Sequence, residues 1–490
     1  MRSSGVLLHI SSLPSPYGIG TFGKKAREFT DFLKKAGQKY WQVLPLCPTG
    51  YGDSPYQSIS SEAGNMYFID LELLCDKNLL TKQECESFDW GSNPERVDYG
   101  KLYENRKKIL RIAFERFDRE NSPDYSSFCK KNADWLDNYA IFAAIKDQNG
   151  GAPLSEWDDD IRLRKGTAID RITQELYEHI EFYKTVQFWF YEQWLDLKKC
   201  VNDAGIKIIG DLPIYISADS VDFWINKELF VTDNNGNPTM VAGVPPDSFC
   251  EGGQLWGNPI YDWKYHKKNG YKWWTNRIKH CFDLFDVVRI DHFRGFEAYY
   301  AIDAVSNSAI NGKWYKGPGI ELFNAAKKKL GKLPIIAEDL GYITPELRTF
   351  LDKTGFPGMN VLQFAFDPES DSAYLPYKHK ANSVVYTGTH DNDTILGWME
   401  NAPKEQTDYA KQFLRLNEQE KYNWGMMKAA LASAADTCIL TMQDLISLKS
   451  DGRMNVPGTA QGNWTWRIAD GWANDWLAGI LKKYTTIYQR

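Results

Sequence analysis

Acidic residues stand directly after short apolar runs at several places in the chain. In VVRIDHFRG, residues 287–295, the run Val287, Val288, Ile290 is interleaved with Arg289 and leads into Asp291, His292 and Arg294. Asp211 follows IKIIG, Glu338 follows PIIA, His390 and Asp391 follow SVVYTGT, and Asp444 follows CILTMQ. A carboxylate beside guanidinium groups in apolar surroundings is unfavourable unless it is paired or used. Residues 287–295 alone fit a structural ion pair, but the recurrence of acids at run ends points to an active site. Three carboxylates in one pocket, Asp291, Glu338 and Asp391, suit glycosyl transfer. One serves as ionised nucleophile, one as protonated acid, and a third holds substrate hydroxyls. Arg289 shares a strand face with Asp291 two residues on and keeps it ionised. A neighbouring carboxylate and partial burial raise the pKa of Glu338, as an acid at neutral pH requires. A metal site is the rival reading of these acids. His292 and His390 are the only histidines near them, without HxH or HExxH spacing, so no metal is expected. Both histidines adjoin a candidate Asp and are assigned to substrate hydroxyls.

The elements that carry these residues follow a repeated order of helix, glycine and apolar run. Ala36-Gly37, Ala204-Gly205, Leu330-Gly331 and Thr354-Gly355 each close a helical pattern before a strand-like run, as a left-handed C-cap glycine does. The runs are Gly5–Ile10, Tyr40–Leu44, Ile206–Gly210, Asp286–Ile290, Pro334–Ala337, Asn360–Phe364, Ser383–Tyr386 and Cys438–Met442. Eight such runs alternating with helices predict an α/β fold, a closed (β/α)8 barrel across residues 1–490, with catalytic groups at the C-terminal strand ends. An open doubly wound sheet is the competing topology. The second and third runs are too far apart for one helix. The Thr81–Glu84 capping box, the periodicity of Tyr99–Phe117 and that of Asn138–Gln148 predict a mostly helical insertion over residues 75–156, with Ile169–Asn202 leading back.

Composition narrows the partners. A net charge of −6 offers no basic footprint, which excludes nucleic acid and anionic membranes as expected partners. No apolar run reaches roughly 18 residues, and Val6–Ile10 is too short for a secretory signal. The eight cysteines lack CxxC spacing and read as reduced thiols, so a cytoplasmic setting is expected. Eighteen tryptophans supply flat faces for core or for sugar rings, and position must decide between them. Residues 241–261, rich in Gly and Pro and bearing Phe249 and Trp256, are expected to form an active-site loop that shields the cleft from water. Tyr56, Asn463 and Trp464 lie in loop-like segments and are further candidates for contact with glucose units.

RIDHFRG (289–295), AEDLG (337–341) and TGTHDNDT (387–394) resemble the region motifs of the 4-α-glucanotransferases, the amylomaltases or disproportionating enzymes of the α-amylase superfamily. SGVLLHISSLPSPYGIG (4–20), GDLPIY (210–215), GVPPDSFCEGGQLWGNPIY (243–261) and NVPGTAQGNWTWR (455–467) are similar to that family too, so the resemblance spans the chain. It implies a (β/α)8 barrel with inserted subdomains and without a C-terminal β-sandwich domain. By position it makes Asp291 the nucleophile, Glu338 the acid/base and Asp391 the transition-state stabiliser. Arg289, His292 and His390 match sugar-contacting positions, and Asp211 matches more loosely. The reaction it implies is transfer of α-1,4-glucan segments between maltooligosaccharides by a retaining double displacement, without a cofactor. The nucleophile and acid/base carboxyls would then lie about 5–5.5 Å apart. Two other readings remain at this stage: an α-glucan hydrolase or phosphorylase using the same acids, and a non-catalytic glucan-binding protein.

Overall fold

The computed structural model describes residues 2–490 except 51, 247–251 and 342. Twelve strands occur in chain order: β1 (Ser3–Leu7), β2 (Tyr40–Gln42), β3 (Lys207–Leu212), β4 (Met240–Val244), β5 (Gln254–Pro259), β6 (Val287–Ile290), β7 (Ala298–Asp303), β8 (Lys313–Lys316), β9 (Ile335–Ala337), β10 (Gly358–Val361), β11 (Ser383–Tyr386) and β12 (Thr437–Thr441). Eight of them pair in parallel in the order β10-β11-β12-β1-β2-β3-β6-β9. The two ends meet where the Ala337 N–H donates to the Pro357 carbonyl at 2.9 Å, so the sheet curls into the expected barrel. Each of the eight apolar runs contains or overlaps one of these strands, with ends shifted by a few residues. The Gly355 cap is seen as well: at φ +71° it ends the helix Pro345–Thr354 and donates its N–H to Leu351.

Strand alternation sorts the side chains. Leu7, Ile209, Ile336, Met359, Val361, Val384, Tyr386 and Ile439 form a cluster separate from the main core, with Tyr40 and Val287 packed on it. Every barrel strand contributes to this inner cluster, while the alternate residues Val6, Ile208, Val288, Ile335 and Leu440 join the core beneath the helices. Residues two positions beyond an inward residue share its face. Ile209 therefore predicts an inward Asp211, Val287 an inward Arg289, and Ile336 an inward Glu338, all at the C-terminal mouth.

Between β2 and β3 lie the helices Leu71–Asp76, Lys82–Glu86, Tyr99–Arg116, Pro123–Gln148, Gly166–Glu175 and Tyr177–Asp203. Thr81 and Glu84 form the anticipated capping box. Tyr125 and Phe128 pack on Phe188, and Trp135 on Tyr191, joining the two longest helices. Their apolar residues belong to the same continuous core as the barrel strands. Much of the aromatic content is accounted for here as packing.

The structure departs from expectation around residues 241–261, which are not a loop alone. β4 and β5 are antiparallel partners and extend through β7 and β8 into a second, four-stranded sheet. The inserted elements are thus helical between β2 and β3, and include the strands of a second sheet between β3 and β9. Gly243 and Gly253 gave these residues the look of a loop, yet Gly243 is required by pairing: a Cβ there would stand 2.2 Å from the Gln254 carbonyl oxygen. Beyond β12 the described residues form helices and loops, with no further named strand.

Candidate active site

β3, β6 and β9 are neighbours, and their register places Asp211 opposite Arg289 and Ile290 opposite Ala337. Arg289 Nη1 donates to both oxygens of Asp211, at 2.8 and 2.6 Å, and Nη2 donates to Asp291 Oδ1 at 2.9 Å. One guanidinium thus bridges two carboxylates. The Asp211 side chain is wholly buried, whereas that of Asp291 keeps 29% of its surface exposed and faces the cleft. Burial alone would lower the pKa of Arg289, but Asp211 and Asp291 override it and hold the group well above its ordinary value. A permanent cation thus stands at hydrogen-bond distance from Asp291. Tyr56 Oη donates to Asp211 Oδ2 at 2.7 Å and fills a further acceptor position of the buried acid.

Glu338 continues the β6–β9 ladder past its last residues. Its N–H donates to the Ile290 carbonyl at 3.1 Å, and its own carbonyl accepts from Phe293 N–H at 3.0 Å. His292 adopts a left-handed conformation, φ +47° and ψ +48°, uncommon for a residue with a Cβ and worth notice at a site. Its N–H donates to Glu338 Oε2 at 2.7 Å, while Leu340 N–H donates to Oε1 at 2.8 Å. The carboxyl is therefore fixed by backbone. Burial, reinforced by Asp291 and opposed by Arg289 and the two N–H groups, pushes its pKa up to about 8. Asp291, paired with a guanidinium, and Glu338, held by backbone N–H groups with its pKa raised, thus sit side by side.

Asp391 reaches the same mouth differently. It lies in the loop after β11, its side chain 40% exposed, with His390 Nε2 at 3.4 Å from Oδ2. Asn455 Nδ2 donates to Oδ1 at 2.7 Å, and Arg453 Nη2 donates to the Asp391 carbonyl at 2.8 Å. The His390 ring stacks on Tyr56 with centroids 5.1 Å apart and planes at 13°, and Trp464 is tilted against both. His390, Tyr56, Asp211, Arg289 and Asp291 form one connected group.

The remaining candidates divide. Trp256, on β5, meets His292 edge-on with centroids 4.8 Å apart. Burial pushes the His292 pKa down to about 4, so the ring is neutral at physiological pH, and its Nε2 has no partner among the described residues. Trp464 is 4% exposed at φ +64°, and so backs Tyr56 and His390 rather than offering a free face. Asn463 was expected to bond sugar hydroxyls. Its Oδ1 accepts from Val456 N–H and its Nδ2 donates to the Thr459 carbonyl and Oγ1, so its amide closes the 456–463 loop. Phe249 lies outside the described residues. Sequence reasoning missed Arg453 and Asn455, although Asn455 heads a motif already quoted for its likeness to a family. Among the described residues no group of three or more His, Cys, Asp or Glu side chains is arranged to hold a metal ion.

Comparison with known proteins gives the family of the chain. A protein-family model described as 4-alpha-glucanotransferase matches residues 8–472. The 4-alpha-glucanotransferase of Clostridium butyricum is 48% identical over 99% of this chain and 100% of its own, and that of Thermus thermophilus is 44% identical over 96% and 95%. The structure of amylomaltase from Streptococcus agalactiae in complex with acarbose superposes with a TM-score of 0.98 at 44% identity, covering 100% of both chains. Amylomaltase from Corynebacterium glutamicum, at 18% identity and a TM-score of 0.78 over 75% of its length, shares the fold. With a model match over most of its length and full-length relatives near half identity, this chain belongs to the 4-alpha-glucanotransferase family.

Proposed function

We propose that Asp291, Glu338 and Asp391 carry out the transfer of α-1,4-glucan segments from a donor to the 4-hydroxyl of an acceptor glucose or maltooligosaccharide. Asp291 attacks the anomeric carbon and forms an ester to the donor segment as the glycosidic bond breaks. Glu338 gives its proton to the departing oxygen, which leaves with the reducing-end fragment. Glu338 then takes a proton from the acceptor 4-hydroxyl, that oxygen displaces Asp291, and the α-bond is restored with retention. Asp391 holds substrate hydroxyls through this passage, and His390 and His292 contact neighbouring ones.

The observation that carries this reading is the adjacency of a salt-bridged Asp291 and a Glu338 whose pKa lies near 8 on paired strands. Strands spaced about 4.8 Å apart suit a direct-attack pair, which works at about 5–5.5 Å, better than the wider gap that an inverting enzyme needs for water. Transfer requires an acceptor sugar to outcompete water. The β4–β5 pair sets Trp256 against His292 beside the proposed nucleophile, where its described residues can cover the intermediate. Its truncation is expected to raise hydrolysis relative to transfer, read as glucose released per glucan product formed.

A cytoplasmic setting is part of the proposal. The seven described cysteines are free, and no helix among the described residues is long and apolar enough to cross a membrane. The test is the product distribution from maltotriose, run beside Asp291→Asn. The proposal expects glucose together with a ladder of longer maltooligosaccharides, absent in the variant. Glucose and maltose without a ladder would mean hydrolysis, and no reaction from either protein would leave a binding role.

A further inference from the structure

We infer that Asn455 is a positioning residue for the proposed stabiliser Asp391, holding that carboxylate in one rotamer. The inference rests on the assignment of Asp391 given above. Asp391 stands in a loop with its side chain 40% exposed, in contrast to Asp291 and Glu338, which paired strands and backbone N–H groups fix. A half-exposed carboxylate on a loop rotates unless something holds it. Asn455 does so at both of its polar ends. Its Nδ2 donates to Asp391 Oδ1 at 2.7 Å, and its backbone N–H donates to the His390 carbonyl at 3.0 Å. Arg453 braces the same turn, donating from Nε to the Asn455 carbonyl at 2.9 Å and from Nη2 to the Asp391 carbonyl at 2.8 Å.

The chemistry of the bond explains why an amide suits the position. An amide N–H can only donate, so it holds the carboxylate oxygen without bringing a second charge. With Oδ1 engaged, Oδ2 is left facing His390 Nε2 and the cleft, free to accept from a substrate hydroxyl as the ring distorts. The groups facing Asp391 are thus His390, Asn455 and the arginine that grips its backbone; the more distant Arg289, Asp291 and Asp211 share the cleft. A bond that orients a group used in the transition state acts on kcat more than on KM.

Two substitutions separate positioning from mere packing. Asn455→Ala is expected to lower kcat for maltotriose disproportionation by roughly 10- to 100-fold with little change in KM, the loss of one hydrogen bond to a charged group. Asn455→Asp places two carboxyls at hydrogen-bond distance, where like charges force a shared proton. While that proton is present the introduced carboxyl donates to Asp391 as the amide did. Activity should therefore approach the parent's at acid pH and fall as pH rises, giving a basic limb below that of the parent. A structural role alone would lower activity without moving the profile. Parallel assays of Asp391→Asn keep the two claims apart. An inert Asp391→Asn beside Asn455 variants with the parent's kcat and pH profile would overturn the inference alone. A fully active Asp391→Asn would overturn both it and the stabiliser role.

Discussion

The two walls of the cleft are built on different principles. On one, Asp211, Arg289, Asp291 and Glu338 come from the ends of three adjacent parallel strands, and nearly every polar atom is tied to a strand neighbour or a backbone N–H. On the other, His390, Asp391 and Trp464 come from loops and are held by ring stacking and by Asn455. The proposed nucleophile and acid/base are on the strand wall, where burial and fixed charges can shift a pKa. The proposed stabiliser Asp391, which would have to follow a distorting sugar ring, is on the loop wall, where it keeps an open edge.

If this division holds, removing a group from the strand wall changes the pH profile and the charge balance, while removing one from the loop wall changes geometry. A new pH dependence arises on the loop wall only where a titratable group is introduced, as in Asn455→Asp. The largest effect is expected from Glu338→Gln, which should lower kcat on maltooligosaccharides by about 10²- to 10⁴-fold. In the parent, the acid function should be present below about pH 8 and be lost as pH rises through that value, a limb the variant lacks. The stability sign is fixed as well. The folded pKa lies above the ordinary 4.5, so this group's contribution is intact below about pH 4.5 and is lost as pH rises to about 8. Glutamine carries no such loss, and thermal melts should show the variant gaining on the parent across that window.

Arg289→Met follows. It leaves Asp211 buried without its cation and Asp291 without its bridge, and urea unfolding should show a loss of about 3–5 kcal/mol. Turnover should fall by about 10²- to 10³-fold, the scale of one lost electrostatic partner in a site. A stable, active variant would mean that the strand wall does not set charge through this bridge. The smallest effect belongs to Tyr56→Phe, which removes one neutral donor from Asp211 and leaves the stacking ring in place. It should cost about 0.5–1.5 kcal/mol of stability, read by the same unfolding assay.

The strand wall was the legible one. Burial on both faces writes a parallel strand as a short apolar run, and the period of two places the acid beyond it on the inner face, so the runs ending at Asp211, Asp291 and Glu338 announced both fold and site. The second sheet was not legible. MVAGV and QLWGNP carry glycines that pairing needs but that weaken any strand signal, and KWYK of β8, exposed at every position, gives no alternating burial pattern to read. Asn455 was hidden for a related reason. A polar residue in a Gly- and Pro-rich loop looks the same whether it bonds water, its own loop, as Asn463 does, or a carboxylate 64 residues away in sequence.

The most direct test of the central claim, that Asp291 forms a covalent bond which Glu338 then helps to break, uses Glu338→Gln with α-maltosyl fluoride. Fluoride leaves without a proton, so the first step should proceed while the second, deprived of its base, stalls. Mass spectrometry of an acid peptic digest is predicted to find a maltosyl ester on the peptide bearing Asp291. Maltosyl on another residue, or fluoride released with no adduct and a β-configured product, would contradict the account.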